Sequence, residues 1–273
     1  MKKLTIYLML LFVASFAFAQ TSTWDGSAAS WTQGSGTSSS PYLIESAQNL
    51  AYLAEMVNGG VNQYSGKYFK LTTNINLNNL AWTPIGDYNT TSAIFKGRFD
   101  GGNYSITNLK INNYSLNYCG LFGRTSGCTI SNLSVRGEIT RGGNARSDGY
   151  CGGIVGYAQS TTFNYCSNYA KVKAYAEVSS TQRYDAYSGG LAGYATGTTT
   201  IIGCNNSGDI SASWINGSPY TYSGGLLGYA TGTTNVSLCN NTGNINSSSS
   251  GEHCYSGGII GYIYRYNFYI HLL

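Results

Sequence analysis

Residues 187–199 read YSGGLAGYATGTT, and residues 222–234 read YSGGLLGYATGTT. The two stretches differ only where Ala192 becomes Leu227. Related segments begin at Tyr118, Tyr150 and Tyr255, so the five leading tyrosines lie 32, 37, 35 and 33 residues apart. A period of this size with no helical pattern inside it predicts a repeat architecture, each repeat forming one coil of a solenoid.

The apolar positions within each segment support this reading. The first after the glycines is Leu121, Ile154, Leu191, Leu226 and Ile259. A second is Ile130, Phe163, Ile201 and Val236, and a third is Leu133, Cys166, Cys204 and Cys239. A fourth is Ile139, Val172, Ile210 and Ile245. Identity drifts while apolarity holds, which predicts ladders of side chains stacked coil on coil around one core. The glycines beside the first ladder predict tight corners, needing either positive φ or close backbone approach. Upstream, ITNLKI at 106–111 matches ISNLSV at 130–135, which predicts a bare turn of 24 residues. Longer coils carry extra residues at 141–149, 176–186, 214–221 and 247–254, a recurrent point that projects from one edge.

Composition agrees. Charged residues are 10% of the chain, against roughly 25% in ordinary globular domains, while Gly (36) and Tyr (25) are abundant and Pro (3) is scarce. This suits short strands and many turns and excludes a helical or α/β enzyme. The chain opens MKKLTIYLMLLFVASFAFAQ. Two lysines, an apolar run too short to span a bilayer and a small-residue AFA site predict a cleaved signal peptide at 1–19 and export. Without Lys2 and Lys3 the formal net charge falls from +4 to +2. That is too weak a balance for nucleic acid or an anionic membrane surface. No membrane span is expected after signal cleavage.

Residues 46–58 alone follow helical spacing, through Leu50, Leu53, Ala54 and Val57. Ser46 is the expected N-cap and Gly59-Gly60 the stop. A helix here would cover the open end of a solenoid, which otherwise exposes unpaired strand edges. Trp24, Trp31 and Trp82 are expected to pack around this entrance. The expected fold is therefore all-β, a parallel β-helix or β-solenoid with a short N-terminal capping helix. The divisions are the signal peptide at 1–19, the cap and entry strands at 20–105, solenoid repeats at 106–262 and an uncapped or truncated tail at 263–273. That tail predicts end-to-end self-association or a longer parent protein.

The segments GLFG, GGIVGY, GGLAGY, GGLLGY and GGIIGY resemble the GLUG motif, a short repeat of bacterial exported proteins. WTPIG at 82–86 and FKGRFDGGNYSITNL at 95–109 look like the lead-in to such repeats in secreted proteins of the Bacteroides type. The resemblance spans about residues 24–262. It implies a β-solenoid at or outside the cell surface, often in adhesin-like proteins and sometimes beside a protease domain. It supplies no catalytic residues.

Chemistry-bearing residues are sparse. Of eleven carboxylates, Glu138 and Asp209 share a repeat position two coils apart, roughly 10 Å at 4.8 Å per coil. That separation would suit an inverting glycosidase pair. It defines the alternative reading, a carbohydrate-active β-helix enzyme. His253 and His271 are the only histidines, with no zinc-like spacing, and no P-loop or dinucleotide fingerprint is present, so no metal or cofactor is expected. The ladder cysteines Cys166, Cys204 and Cys239 read as buried thiols, while Cys119 and Cys151 share the position after Tyr, where a disulfide is conceivable. Two tyrosine rows, Tyr150/187/222/255 and Tyr157/194/229/262, read as stacked strand stabilisers or as platforms for sugar rings. The favoured function is non-enzymatic: adhesion or binding to an extracellular glycan or protein through the edge loops. Arg141, Arg146, Arg183, Tyr184, Trp214 and Tyr220 are the expected contact residues.

Overall fold

The computed structural model describes residues 20–86, 92–141, 147–178, 183–214, 219–249, 253–264 and 268–271. The expected signal peptide and Arg146 lie outside the described residues. The chain winds as a β-solenoid of about five turns with four faces, each a sheet of parallel strands. The coil that opens at residue 186 shows the plan. Ala186–Gly189 belongs to the first face, Ala192–Thr196 to the second and Thr199–Ile202 to the third. Asn205–Asn206 and Ile210–Trp214 complete the fourth.

Register is the expected one. Tyr150, Tyr187, Tyr222 and Tyr255 are successive partners on the first face. Ile130, Phe163, Ile201 and Val236 align on the third, and Ile139, Val172, Ile210 and Ile245 on the fourth. Leu121, Ile154, Leu191 and Leu226 are fully buried in a continuous core. Burying one such side chain contributes roughly 1.5–3 kcal/mol, and no coil achieves it without its neighbours.

The stack begins earlier and extends later than expected. Tyr42–Ile44, Tyr68–Leu71 and Arg98–Asp100 are already rungs of the third face, below Thr129–Ser131. Phe268–His271 adds a rung above Thr234–Ser237, so part of the tail is solenoid. The 24-residue turn is not found. Ile106 lies under Val135, and Ile130 lies over Phe99. What the two ITNL-like stretches share is a left-handed Asn, φ 54° at Asn108 and 51° at Asn132, but Asn108 lies at a register shift inside the strand Ser105–Asn112, whereas Asn132 turns the chain from the third face to the fourth.

Helix α1, Ala47–Asn58, is capped by Ser46, whose side chain accepts from the Asn49 N–H. Its face of Leu50, Leu53, Ala54 and Val57 is buried against the first rungs. At its far end Asn58 donates to Pro84 O at 3.0 Å and accepts from Gly86 N at 2.7 Å, beneath the strand that holds Phe122. Trp24 meets Trp82 edge-on at 5.4 Å, and Trp31 sits among Tyr42, Tyr52, Tyr64 and Phe69.

The paired glycines serve close approach, not positive φ. None of Gly153, Gly190 and Gly225 is left-handed. A Cβ on Gly153 would lie 2.1 Å from Asn168 Oδ1, and one on Gly190 would lie 2.6 Å from Asn206 Oδ1. These asparagines form an internal ladder. Asn168 Nδ2 donates to Asn206 Oδ1 at 2.8 Å, and Asn206 Nδ2 donates to Asn241 Oδ1 at 2.7 Å. Each also closes a bond to the carbonyl two residues on. A buried polar group is tolerated only when so satisfied, and the ladder then requires glycine opposite it.

Candidate functional site

The edge between the fourth and first faces carries the extra residues. Its base is a column in register, because Gly149, Ala186, Thr221 and Cys254 are successive partners and Asp148, Asp185, Tyr220 and His253 precede them. Asp148 Oδ1 accepts from Asp185 N at 2.8 Å, and Asp185 Oδ1 accepts from Tyr220 N at 2.9 Å. Each carboxylate thus takes the N–H of the coil above. The hydroxyl of Tyr150 donates to Asp148 Oδ2 at 3.0 Å, and that of Tyr187 approaches Asp185 Oδ2 at 3.5 Å. Burial raises the Asp185 carboxyl above its ordinary range, against the pull of the Tyr220 N–H and the Arg183 guanidinium.

Arg183 is held on this column. Its Nε lies 3.1 Å from Asp185 Oδ1, and its guanidinium carbon sits 3.7 Å from the centroid of the Tyr220 ring. The His253 ring meets Tyr220 edge-on, centroid to centroid 4.2 Å. Arg183 and Tyr184 form the return strand of a small antiparallel hairpin, opposite Val178 and Glu177. Trp214 ends its strand beside Ala176 and is 37% exposed. Arg183, Tyr220 and Trp214 therefore lie on the loop edge, with Arg183 and Tyr220 in contact.

Arg141 is a correction. It is fully buried, not a surface contact. Its guanidinium donates to Leu116 O at 3.1 Å, to Tyr175 O at 2.8 Å and to the carbonyl and hydroxyl of Ser147. These carbonyls come from the coils below and above and from its own loop. A charge-assisted donor with five N–H groups can close such a site where a neutral side chain could not.

The tyrosine rows use up their own faces. Tyr187 and Tyr222 stack at 4.9 Å and 2°, and Tyr194 and Tyr229 at 4.9 Å and 11°. Between rows the rings meet edge-on, as Tyr187 does Tyr194 at 5.4 Å and 83°. A sugar stacks on a ring face, and within the rows those faces are occupied. The rows stabilise the strands.

Glu138 and Asp209 do share an exterior column, but Lys171 stands between them: Glu138 pairs with Lys171, and Val172 N bonds to Asp209 O at 2.9 Å. Asp209 is engaged by Asn244, whose amide donates to it at 2.9 Å. Cys119 and Cys151 are register partners with no disulfide between them, and both are buried. Cys166 and Cys204 are buried as expected, with Cys166 N donating to Cys204 Sγ at 3.3 Å. Among the described residues no three His, Cys, Asp or Glu side chains cluster as metal ligands, and no helix is long and apolar enough to cross a membrane.

Comparison with known proteins agrees with this geometry. The family model described as "The GLUG motif" matches residues 184–211, the coil that carries Tyr187, Gly189-Gly190 and Tyr194. Residues 184–211 thus carry a GLUG motif. The matched features recur in register in the neighbouring coils of the solenoid. A provisionally named Gly-rich membrane protein of Evansella cellulosilytica is 34% identical over 106 residues, 38% of this chain. The match spans only 12% of that relative's length. A crystal structure of a protein provisionally named an immunoglobulin A1 protease, from Bacteroides ovatus, superimposes with TM-score 0.61 at 18% identity. It covers 88% of this chain and 67% of the other, and at that identity the likeness is one of fold.

Proposed function

We propose that this GLUG solenoid is a non-catalytic scaffold, exported to the cell surface or beyond, that binds an extracellular glycan or protein through its loop edge. The observation that carries the reading is the Arg183–Tyr220 pair. A guanidinium sits over an aromatic ring, 3.7 Å from its centroid, and is paired with Asp185 in the column beneath. Arg, Tyr and Trp are the residue types that dominate binding hot spots, and holding them in place before contact lowers the ordering cost of association. Export is supported by the MKKL…AFAQ start and by the relative named as a membrane protein. The enzyme alternative is weakened by Lys171, which stands where a substrate bond between Glu138 and Asp209 would lie.

The test is a glycan array and a panel of purified extracellular proteins, probed with the wild-type chain and with Arg183→Ala and Tyr220→Ala. A bound partner whose affinity falls about tenfold in either variant, near 1.4 kcal/mol, supports the reading. New reducing ends released from a polysaccharide, and lost in Glu138→Gln or Asp209→Asn, would establish the enzyme instead.

A further inference from the structure

Away from Arg183 and Tyr220, a groove runs up the outside of the fourth face. Three cavities compose it. The first, about 360 Å³, lies between α1 and the Trp24–Trp82 pair. It shares Trp82 and Thr83 with a second of about 400 Å³. That one shares Lys110, Ile111 and Asn112 with a third of about 300 Å³, which ends at Lys173 and Tyr175. The register makes this a continuous climb. Trp82 N bonds to Lys110 O, Lys110 pairs with Glu138, and Asn112 and Thr140 lie in line under Lys173.

Its chemistry has three parts. Aromatic side chains stand at both ends. The indole N–H groups of Trp24 and Trp82 are already donated to Ser27 O and Leu121 O, and Trp82 is 4% exposed, so what this end offers a ligand is the apolar surface of the half-buried Trp24 ring, held in place by Trp82. Between the ends are exposed amides and hydroxyls, from Asn112, Asn113 and Ser115. The charges cancel: Lys110 and Lys173 are balanced by Glu55 and Glu138. An extended groove with apolar ring contacts, many hydrogen-bonding groups and no net charge matches a neutral oligosaccharide. Each sugar ring has an apolar C–H face and a rim of hydroxyls. A polyanion would meet the like charges of Glu55 and Glu138, and a hydrophobic peptide would leave the amides and lysines desolvated.

We propose that this groove binds a neutral oligosaccharide lengthwise, with one sugar against Trp24 and another at the Tyr175 end, where the Lys173 ammonium sits 4.5 Å from the centroid of the Tyr175 ring and leaves the opposite ring face for the sugar. The proposal does not rest on the loop edge, because neither Arg183 nor Tyr220 lines the groove. The chain has four tryptophans, two of them in the groove, so intrinsic fluorescence reports on it directly. Gluco-, manno- and xylo-hexasaccharides, a hexagalacturonate and an acidic and an apolar decapeptide would be titrated into the full chain. The expected result is an emission shift with at least one neutral hexasaccharide at up to millimolar concentration. That affinity should weaken about tenfold in Trp24→Ala and in Lys173→Met, and be unchanged in Arg183→Ala. Because Trp24→Ala touches the cap, Tyr175→Ala provides a second variant at the far end. The proposal is overturned if no neutral hexasaccharide binds, if the hexagalacturonate or a peptide binds more tightly, or if folded Trp24→Ala and Tyr175→Ala both bind as wild type does. Loss of binding in Arg183→Ala alone would move the glycan to the loop edge.

Discussion

Replacing Asn206 tests whether the asparagine ladder supports the shaft. The side chain is 1% exposed and makes four hydrogen bonds. Its Oδ1 accepts from Asn168 Nδ2 at 2.8 Å and from Gly208 N at 3.3 Å. Its Nδ2 donates to Gly208 O at 2.9 Å and to Asn241 Oδ1 at 2.7 Å. Asn206→Ala removes all four. At about 0.5–1.5 kcal/mol each, and with Asn168 and Asn241 keeping their bonds to Ala170 and Gly243, the cost is about 3 kcal/mol. For a domain of this size that lowers the melting temperature by about 6–12 °C.

Asn206→Asp is the sharper probe. It replaces a donor with an oxygen facing two acceptors, Gly208 O and Asn241 Oδ1. Ionised, that oxygen is buried and repelled. Protonated, it can donate to one of them. The folded-state pKa of the new carboxyl therefore lies above its unfolded value of about 3.9. The folded state then binds more protons than the unfolded, so the stability contribution is present below that value and is lost as pH rises. The gap in melting temperature between wild type and Asn206→Asp, followed by circular dichroism, should widen from pH 4 to pH 7. The gap for Asn206→Ala should stay constant. An Asn206→Asp gap that is flat or narrows would refute the ladder as an internal, mutually dependent structure.

Two other expectations follow from the packing. Burial pushes the Tyr194 and Tyr229 hydroxyls up to about 12 from 10.0 and also raises Tyr150, Tyr187 and Tyr222. Their stabilising contribution is complete below pH 10 and is lost as pH climbs toward 12, so melting temperature should fall across that window; a single tyrosine titration step near 10 in the still-folded chain would contradict this. Gly190→Ala should cost about 4 kcal/mol or more, because the new Cβ would lie 2.2 Å from Gly225 O. Gly66→Ala, with φ +70° but open space around it, should cost only about 1–2 kcal/mol by urea denaturation, and equal costs would show that the paired glycines are not there for close approach.

How much of this was legible in the sequence depends on whether a position repeats. The aliphatic ladders could be read because a parallel in-register stack places each residue on its own equivalent, so apolarity persists when identity does not. The tyrosine rows were legible for the same reason. The asparagine ladder was not, because polarity alone does not separate an internal Asn from one in a turn. The signal was present: Asn168, Asn206 and Asn241 each follow two residues after a ladder cysteine. Arg141 opens an insertion and so reads as a loop residue, and only the arrangement of Leu116, Ser147 and Tyr175 shows why it turns inward. ITNLKI and ISNLSV misled because a left-handed Asn flanked by aliphatics looks the same in sequence whether it sits at a register shift within a strand, as Asn108 does, or at a corner between faces, as Asn132 does.

This constraint also says where recognition can reside. A ladder position must hold a residue that tolerates a copy of itself about 4.8 Å above and below. Leu, Ile, Asn and Tyr do so, the first two by packing, Asn by donating and accepting at once, and Tyr by stacking. Charged residues do not, since like charges in adjacent rungs repel. Where the chain carries charge on the fourth face it alternates, Lys110, Glu138, Lys171 and Asp209 in order up the column. The acidic column on the edge gives way to Tyr220 and His253 after two rungs. Lys70, Arg98 and Asp100 on the early third-face rungs and Arg124 below Tyr157 are not repeated in the coils above, and the singular aromatics Trp24, Trp82 and Trp214 lie in the groove beside α1 and on the loop edge. Those are the surfaces on which specificity for a partner can be written without disturbing the core.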